Sequence, residues 1–396
     1  MKLFVGCNWD PSLVHRLSAF PEVVDFSGLL RRSVVGAGSA AYLAPEASRM
    51  DVESFVRDAH RASRTVTVIL DAPNMEAREW EPEVHQQILE EFGWLESIKV
   101  DAVELAIPYL VELVHRRFPK LGIRVSPTTR AATVDTVTFL QEMGASCVGV
   151  EPMVQRRFEV LKVMAAQSGI PLFVEVTNGI LRGSPSYGNF DLAWTNSLMS
   201  SHRFEPDVFS ELSKTYNHAY DDGYKVKHPV EILRTHFVRP EDVHLYESIG
   251  IEHFKLDTAL LTTDDIVRRV EAYVARTYDG NLTHLANLFY FGNRYQSEVA
   301  TPYQAPTFPG NPPQAITRFF QLLGDKGIID SILSVDNARL HGLLDHVVGG
   351  RCDPVACSEC QRFADAAIHV RPDAAAAFVD ALEQYRRCLF TGEYLP

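Results

Sequence analysis

The chain has 396 residues, 46% of them hydrophobic, and a formal net charge of -13, which supplies enough apolar material for a large core and too much for a disordered chain. The acidic balance argues against a nucleic-acid scaffold, which presents a basic face, and no apolar run approaches the length of about 18 residues that a membrane span needs. The start, MKLFVGCNWD, lacks the basic stretch and long apolar run of a signal peptide, so a cytoplasmic protein without a membrane partner is expected.

In chain order, eight segments read as β-strands: Leu3–Asn8, Val23–Gly28, Thr65–Asn74, Val100–Pro108, Gly122–Thr129, Ser146–Pro152, Leu172–Asn178 and His253–Thr258. Amphipathic stretches lie between them. DVESFVRDAHRAS sets Val52, Phe55, Val56 and Ala59 at helical spacing. TVDTVTFLQEMGA opens on Thr133 and reaches Gly144, as helix ends prefer. Strands alternating with helices predict right-handed βαβ units and a parallel sheet. Eight of them within about 260 residues predict an α/β fold, a TIM-type (β/α)8 barrel. The barrel is expected to span residues 1–280, with a long insertion, about 179–250, before the last strand. Residues 281–396 read as a helical C-terminal extension with a Pro-rich opening, ATPYQAPTFPGNPPQ, and a Cys-rich segment.

In such a barrel the chemistry lies at the C-terminal ends of the strands. Strand one offers Cys7, Asn8 and Asp10, and strand three Asp71 and Asn74. Glu104 interrupts an otherwise apolar fourth strand, and the fifth supplies Ser126, Thr128 and Thr129. Glu151 follows strand six, Glu175 and Asn178 belong to strand seven, and Lys255 and Asp257 to strand eight. Carboxylates and a lysine aimed into a barrel mouth are costly to bury unpaired. As a set they predict a pocket that polarises or protonates a small polar substrate. Glu175, Lys255, Asp257, Glu151 and Asn178 are the candidate catalytic groups; Asn8, Asp10, Asn74, Glu104, Ser126 and Thr128 are candidate substrate contacts. GAGSAA (36–41) matches a dinucleotide fingerprint, but Pro45 follows too soon for the helix that motif requires, so the glycines are expected to form a loop.

Three stretches, VSPTTRAATVDTVTFLQEMGASCVGVEPMVQRRFEVLKVMA, FVEVTNGILRGSPSYGN and RPEDVHLYESIGIEHFKLDTALLTTDDIVRRVEAYV, together resemble the collagenase-like peptidase U32 family. The likeness runs in order and spacing from the first strand to the helix near Tyr273, with an echo in the C-terminal cysteines. It implies a TIM barrel. Despite the name, family members are similar to oxygen-independent hydroxylases of ubiquinone precursors, tRNA and rRNA, which carry an iron–sulfur cluster on cysteines around the seventh strand and the insertion. The family's loop there reads Asn-Gly-Cys, three residues, then Cys-Pro. This chain has NGILRGSP, with Ile180 and Ser184 at the cysteine positions, and TYNHAYDDGYKVKH in the insertion where a further cysteine pair is expected. Isoleucine cannot ligate iron and serine does so poorly. The chain therefore resembles a divergent member that lacks the barrel cysteines.

Three of the six cysteines, Cys352, Cys357 and Cys360, crowd into GGRCDPVACSECQRF, and Cys388 lies downstream in YRRCLF. Relatives end in a four-cysteine segment whose fourth place is Phe363 here. With Cys388, Cys7 or a histidine, three thiolates suit a [4Fe-4S] cluster or a structural zinc; thiols that bind nothing are the alternative. Three functions follow. One is an iron–sulfur oxidoreductase of hydroxylase type, acting on a small or carrier-linked substrate. Another is a metal-free acid–base enzyme (lyase, isomerase or hydrolase) using the barrel-mouth carboxylates and Lys255. The third is a non-catalytic partner of an active homologous protein. Sequence motifs of known peptidases, H-E-x-x-H and G-x-S-x-G, are absent.

Overall fold

The computed structural model describes residues 1–38, 44–179, 181, 184, 208–289, 313–324, 328–349 and 358–393. Eight parallel strands close into a barrel: β1 (Lys2–Cys7), β2 (Val23–Leu29), β3 (Thr65–Leu70), β4 (Ala102–Leu105), β5 (Gly122–Val125), β6 (Cys147–Gly149), β7 (Leu172–Glu175) and β8 (His253–Leu256). The ring closes where β1 pairs with β8, Phe4 opposite Lys255. All eight predicted strands are present, and the barrel architecture is as expected. Several end earlier than their apolar runs, because residues such as Asp71, Ser126 and Asn178 have already left the sheet for the loops of the mouth.

The alternation of side chains along a strand separates two environments. Outward residues are apolar and bury against the helices. Phe26 of β2 meets Phe55 edge-on at 5.5 Å, and Trp9 meets the same ring at 5.4 Å. The helix carrying Phe55, Arg49–Arg61, starts at a capping box: Asp51 N donates to Ser48 Oγ, and Ser48 N donates to the Asp51 carboxylate at 2.8 Å. Val52, Phe55, Val56 and Ala59 are its buried face, as their spacing predicts. Val134–Glu142 begins at Thr133, whose hydroxyl caps Thr136, and the chain turns beyond it at Gly144 with φ +112°, a conformation glycine adopts freely. The GAGSAA stretch opens no helix over its described residues: 30–38 are a loop, and Gly38 N donates to Asp71 at 2.7 Å.

The insertion between β7 and β8 contributes a long helix, Val208–Lys227, and shorter ones at Val230–Arg234 and Val243–Glu247. After β8, Thr263–Ala275 completes the helical ring, capped by Thr262. Beyond it the last helix, Pro372–Thr391, packs against both Gln314–Gly324 and Val208–Lys227, with Phe319 stacked on Tyr385 at 4.4 Å. A β-carbon at Gly223 would stand 2.2 Å from Leu382 Cδ2, so the two long helices meet where a glycine faces the end of a leucine side chain. This cluster also takes in Leu29, Ala37, Ile69, Ala259 and Leu260 from the rim. The insertion and the C-terminal extension thus share one apolar core set against the mouth of the barrel. Among the described residues no helix is long and apolar enough to cross a membrane.

Candidate active site

The inward positions of the strands are polar to an unusual degree. Asp25 and Ser27 of β2, Thr67 of β3, Glu104 of β4, Arg124 of β5 and Lys255 of β8 are all buried. Single charged residues inside apolar strands are expensive unless paired, and here each has a partner. Arg124 Nη2 lies 3.1 Å from Asp25, and its Nη1 donates to Ser27 at 2.9 Å and faces Glu104 at 3.7 Å. Asp25 also accepts from Thr65 at 2.8 Å and Thr67 at 2.9 Å. The guanidinium sits 3.7 Å above the Phe4 ring, with Phe173 at 5.9 Å, a cation–π arrangement strengthened by the dry surroundings.

Toward the mouth the network passes from Glu104 to Lys255, which donates to it, and from Lys255 to Glu175 at 3.4 Å. Burial alone would lower the lysine pKa, but Glu104, Glu175 and Asp71 outweigh it and hold the ammonium protonated well above the ordinary lysine range. Glu175 is the opposite case. Burial raises its pKa, Asp257 and Glu104 add to the rise, and Lys255 and an Asn178 hydrogen bond of 3.1 Å moderate it. Asp71, which accepts from Ser126 at 2.8 Å, is likewise raised by burial and then by Glu104. A carboxylic acid whose pKa is raised beside a fixed cation can give and take a proton. Gln155, fully buried, fixes the Glu175 backbone: with its amide turned to satisfy both groups, it donates to Glu175 O at 2.9 Å and accepts from Glu175 N at 3.2 Å.

Of the residues singled out from the sequence, Glu175, Lys255, Glu104 and Asn178 meet in one connected network, and Ser126 joins through Asp71. The charge of Asp257 acts on Glu175, and its backbone N donates to Thr177 at 2.9 Å. Glu151 is half-buried at the turn after β6, its N donating to Ala131. Thr128 bonds locally to Ser126. Asn8 donates to Leu261 O at 3.0 Å and to Thr263 at 3.2 Å, and Asp10 caps the helix Pro11–Leu17 while accepting from Thr263. Asn74 turns its own loop by accepting from Glu76 N at 3.0 Å. The side-chain groups of these three hold the rim together. Asp25 and Arg124 were not singled out, although a lone charge inside VVDFSG and GIRVSP is the same signal that marks Glu104. Asn287 has no such signal, because it lies beyond the barrel.

The resemblance-implied iron–sulfur site in the barrel does not fit these residues. Ser184 is buried and donates to Asp221 at 2.7 Å, so its hydroxyl is committed, and Ile180 lies outside the described residues. The insertion helix is secured instead by Lys225, which donates to Gly179 O at 2.9 Å and Leu288 O at 2.7 Å and faces Asp222 at 3.6 Å. At the C-terminus, Cys352 and Cys357 also lie outside the described residues. Cys360 stands on the helix Glu359–Ala367 beside Arg234. Cys388 is buried in the apolar cluster of Tyr385 and Leu382, and its thiol pKa is raised by burial and by its contact with Glu393 at 3.5 Å. Cys7, a further fourth-ligand candidate, is fully buried on β1, and burial pushes its thiol far above the ordinary range. Among the described residues, no three His, Cys, Asp or Glu side chains converge on a metal position.

Fold and site together define a (β/α)8-barrel protein with an ion-paired interior that ends in a carboxylate–ammonium pair at the C-terminal ends of the strands. The family model for peptidase family U32 matches residues 41–150. An uncharacterized protease of Methanocaldococcus jannaschii is 24% identical over 274 residues, covering 66% of this chain and 76% of that protein. Among solved structures, the U32 peptidase Mk0906 is 18% identical, with a TM-score of 0.43 over 65% of this chain and 92% of its own. FabK from Thermotoga maritima is 12% identical, with a TM-score of 0.29 over 69% of this chain and 91% of its own. The chain is thus similar to peptidase family U32, through residues 41–150 and through the archaeal relative.

Proposed function

We propose that this chain is a barrel-mouth acid–base enzyme acting on a small or carrier-linked polar substrate. Glu175 moves the proton, and Lys255 holds an oxygen that gains negative charge in the transition state. The supporting observation is the Glu175–Lys255 pair, a partly buried carboxylate and a buried ammonium 3.4 Å apart at the C-terminal end of adjacent strands. Burial raises the Glu175 pKa above the ordinary carboxylate value, which favours its holding a proton, and its place beside Lys255 suits proton transfer. Lys255, kept protonated by three carboxylates, suits electrostatic stabilisation and not Schiff-base attack, which needs a free amine. Lyase, isomerase and hydrolase reactions all use this pair of roles. Amide hydrolysis stays among them because the archaeal relative is described as a protease.

The test is untargeted. Wild-type protein and Glu175→Gln are incubated in deuterated buffer with a metabolite extract and a peptide library, and masses are compared. The expected result is a compound converted or deuterated by wild type and slowed by about 10²-fold or more in the variant. Identical profiles for the two proteins overturn the reading. The iron–sulfur alternative rests on Cys352, Cys357 and Cys360, and iron and sulfide in anaerobically purified protein separate it from the acid–base reading.

A further inference from the structure

We propose that Asn287, supplied by the segment that follows the barrel, is a positioning residue for Glu175, acting through Asn178. This rests on the acid–base reading above for its functional meaning, but its physical content is independent of it. After the last barrel helix the chain returns to the mouth and pairs in parallel with the extension of β7: Asn287 N donates to Thr177 O, and Gly179 N donates to Asn287 O at 3.1 Å. Lys225 clamps this pairing by donating to the carbonyls of both Gly179 and Leu288. Asn287 is thereby held in the mouth, buried, with Arg269 behind it and Asn178 in front.

The direction of the hydrogen bonds is set by chemistry. Arg269 is buried on the helix Thr263–Ala275, and a guanidinium has only donors to offer. The atom of Asn287 that faces it at 2.9 Å is therefore the carbonyl oxygen. That leaves the Asn287 amide nitrogen to donate to Asp257 O at 3.0 Å and toward Asn178 Oδ1 at 3.4 Å. With its oxygen so occupied, Asn178 must present its own amide nitrogen to Glu175 Oε2, at 3.1 Å. An arginine on the outer helix thus dictates which end of an asparagine meets the carboxylate. A donor at that oxygen favours the charged form of Glu175, opposing burial. It also fixes the carboxylate rotamer, leaving the other oxygen, which faces Lys255, in a constant place. Lys255, Asp257 and Glu104 are the charged groups that act on Glu175, and Asn178 is the neutral donor beside them.

The test follows the Glu175 carboxyl by carbon-13 NMR, assigned with Glu175→Gln, in wild type and in Asn287→Asp. The new carboxylate has no donor for Asn178, so the Asn178 amide turns and offers its oxygen to Glu175. The expected result is an upward shift of the Glu175 midpoint by about one pH unit or more. An unchanged midpoint in folded variant protein overturns the proposal. Should the variant not fold, wild type decides: the side-chain amide nitrogens of Asn178 and Asn287 are expected to titrate with the Glu175 midpoint, and a silent Asn287 amide overturns the proposal. Neither readout needs a substrate. A coupled relay in a protein whose Glu175→Gln variant converts everything wild type converts would retain the relay and reject the acid–base reading.

Discussion

The ammonium of Lys255 lies between two carboxylates: it donates to Glu104, and it stands 3.4 Å from Glu175, its Cα partner across β7 and β8. Removing the cation strands both. Lys255→Met is expected to cost about 3–5 kcal/mol, read as a lowered urea midpoint. Adding Glu104→Gln to that variant is expected to recover part of the loss, since a neutral amide needs no counter-charge.

Arg124 plays the same part deeper in the barrel, against Asp25 and Glu104 and over the Phe4 ring. Arg124→Met keeps most of the bulk and deletes the charge, so destabilisation of about 3–5 kcal/mol is expected, and more than from Arg61→Met on the exposed surface, where the pair with Asp58 is worth ~1 kcal/mol or less. Chemical denaturation of the two variants makes the comparison.

Glu91, on the helix Pro82–Ser97, is buried and accepts from Ser33 at 2.9 Å, and burial pushes its pKa up from 4.5 to about 7. The unfolded chain releases this proton first. Stability is therefore lost as pH rises through the window from about 4.5 to about 7, by up to about 3 kcal/mol. Glu91→Gln mimics the protonated form. Its melting temperature relative to wild type is expected to gain more at about pH 8 than at about pH 5. A gain that does not grow with pH would assign the carboxyl an ordinary midpoint.

Gly223 lets the insertion helix touch Leu382 of the last helix. Gly223→Val is expected to force Leu382 to repack and cost about 1–3 kcal/mol. Because these helices share a cluster with Leu260 and Ile69 at the rim, proteolysis of the C-terminal extension should quicken in this variant and not in Gly93→Ala, where a β-carbon finds Phe118 at 3.8 Å.

Cys388 sits in an apolar setting against Glu393, with its thiol pKa raised. Cys388→Ala is expected to carry the same iron, sulfide and zinc per chain as wild type after anaerobic purification. A loss of metal in this variant would instead make Cys388 a ligand and require the last helix to rearrange.

The sequence by itself determined the barrel. Eight apolar runs with helices between them left one economical closure, and the strand period of two placed Glu104, Glu175 and Lys255 on the inner face without reference to any partner. It also showed, at Ile180 and Ser184, that the resemblance-implied cysteines were gone. The pairings were another matter. Glu104 meets Lys255 across 151 positions of chain, and Arg124 meets Ser27 across 97, so no local pattern could say that each buried charge would find its counter-charge. Asn8, Asp10 and Asn74 follow strands, as mouth residues do, but short polar side chains there also cap helices and turn loops, and only the tertiary structure shows the bonds each makes. Asn287 lay furthest from any sequence rule. Only the return of the chain to β7, held by backbone pairing and by Lys225, set its amide behind Asn178 and hence behind Glu175.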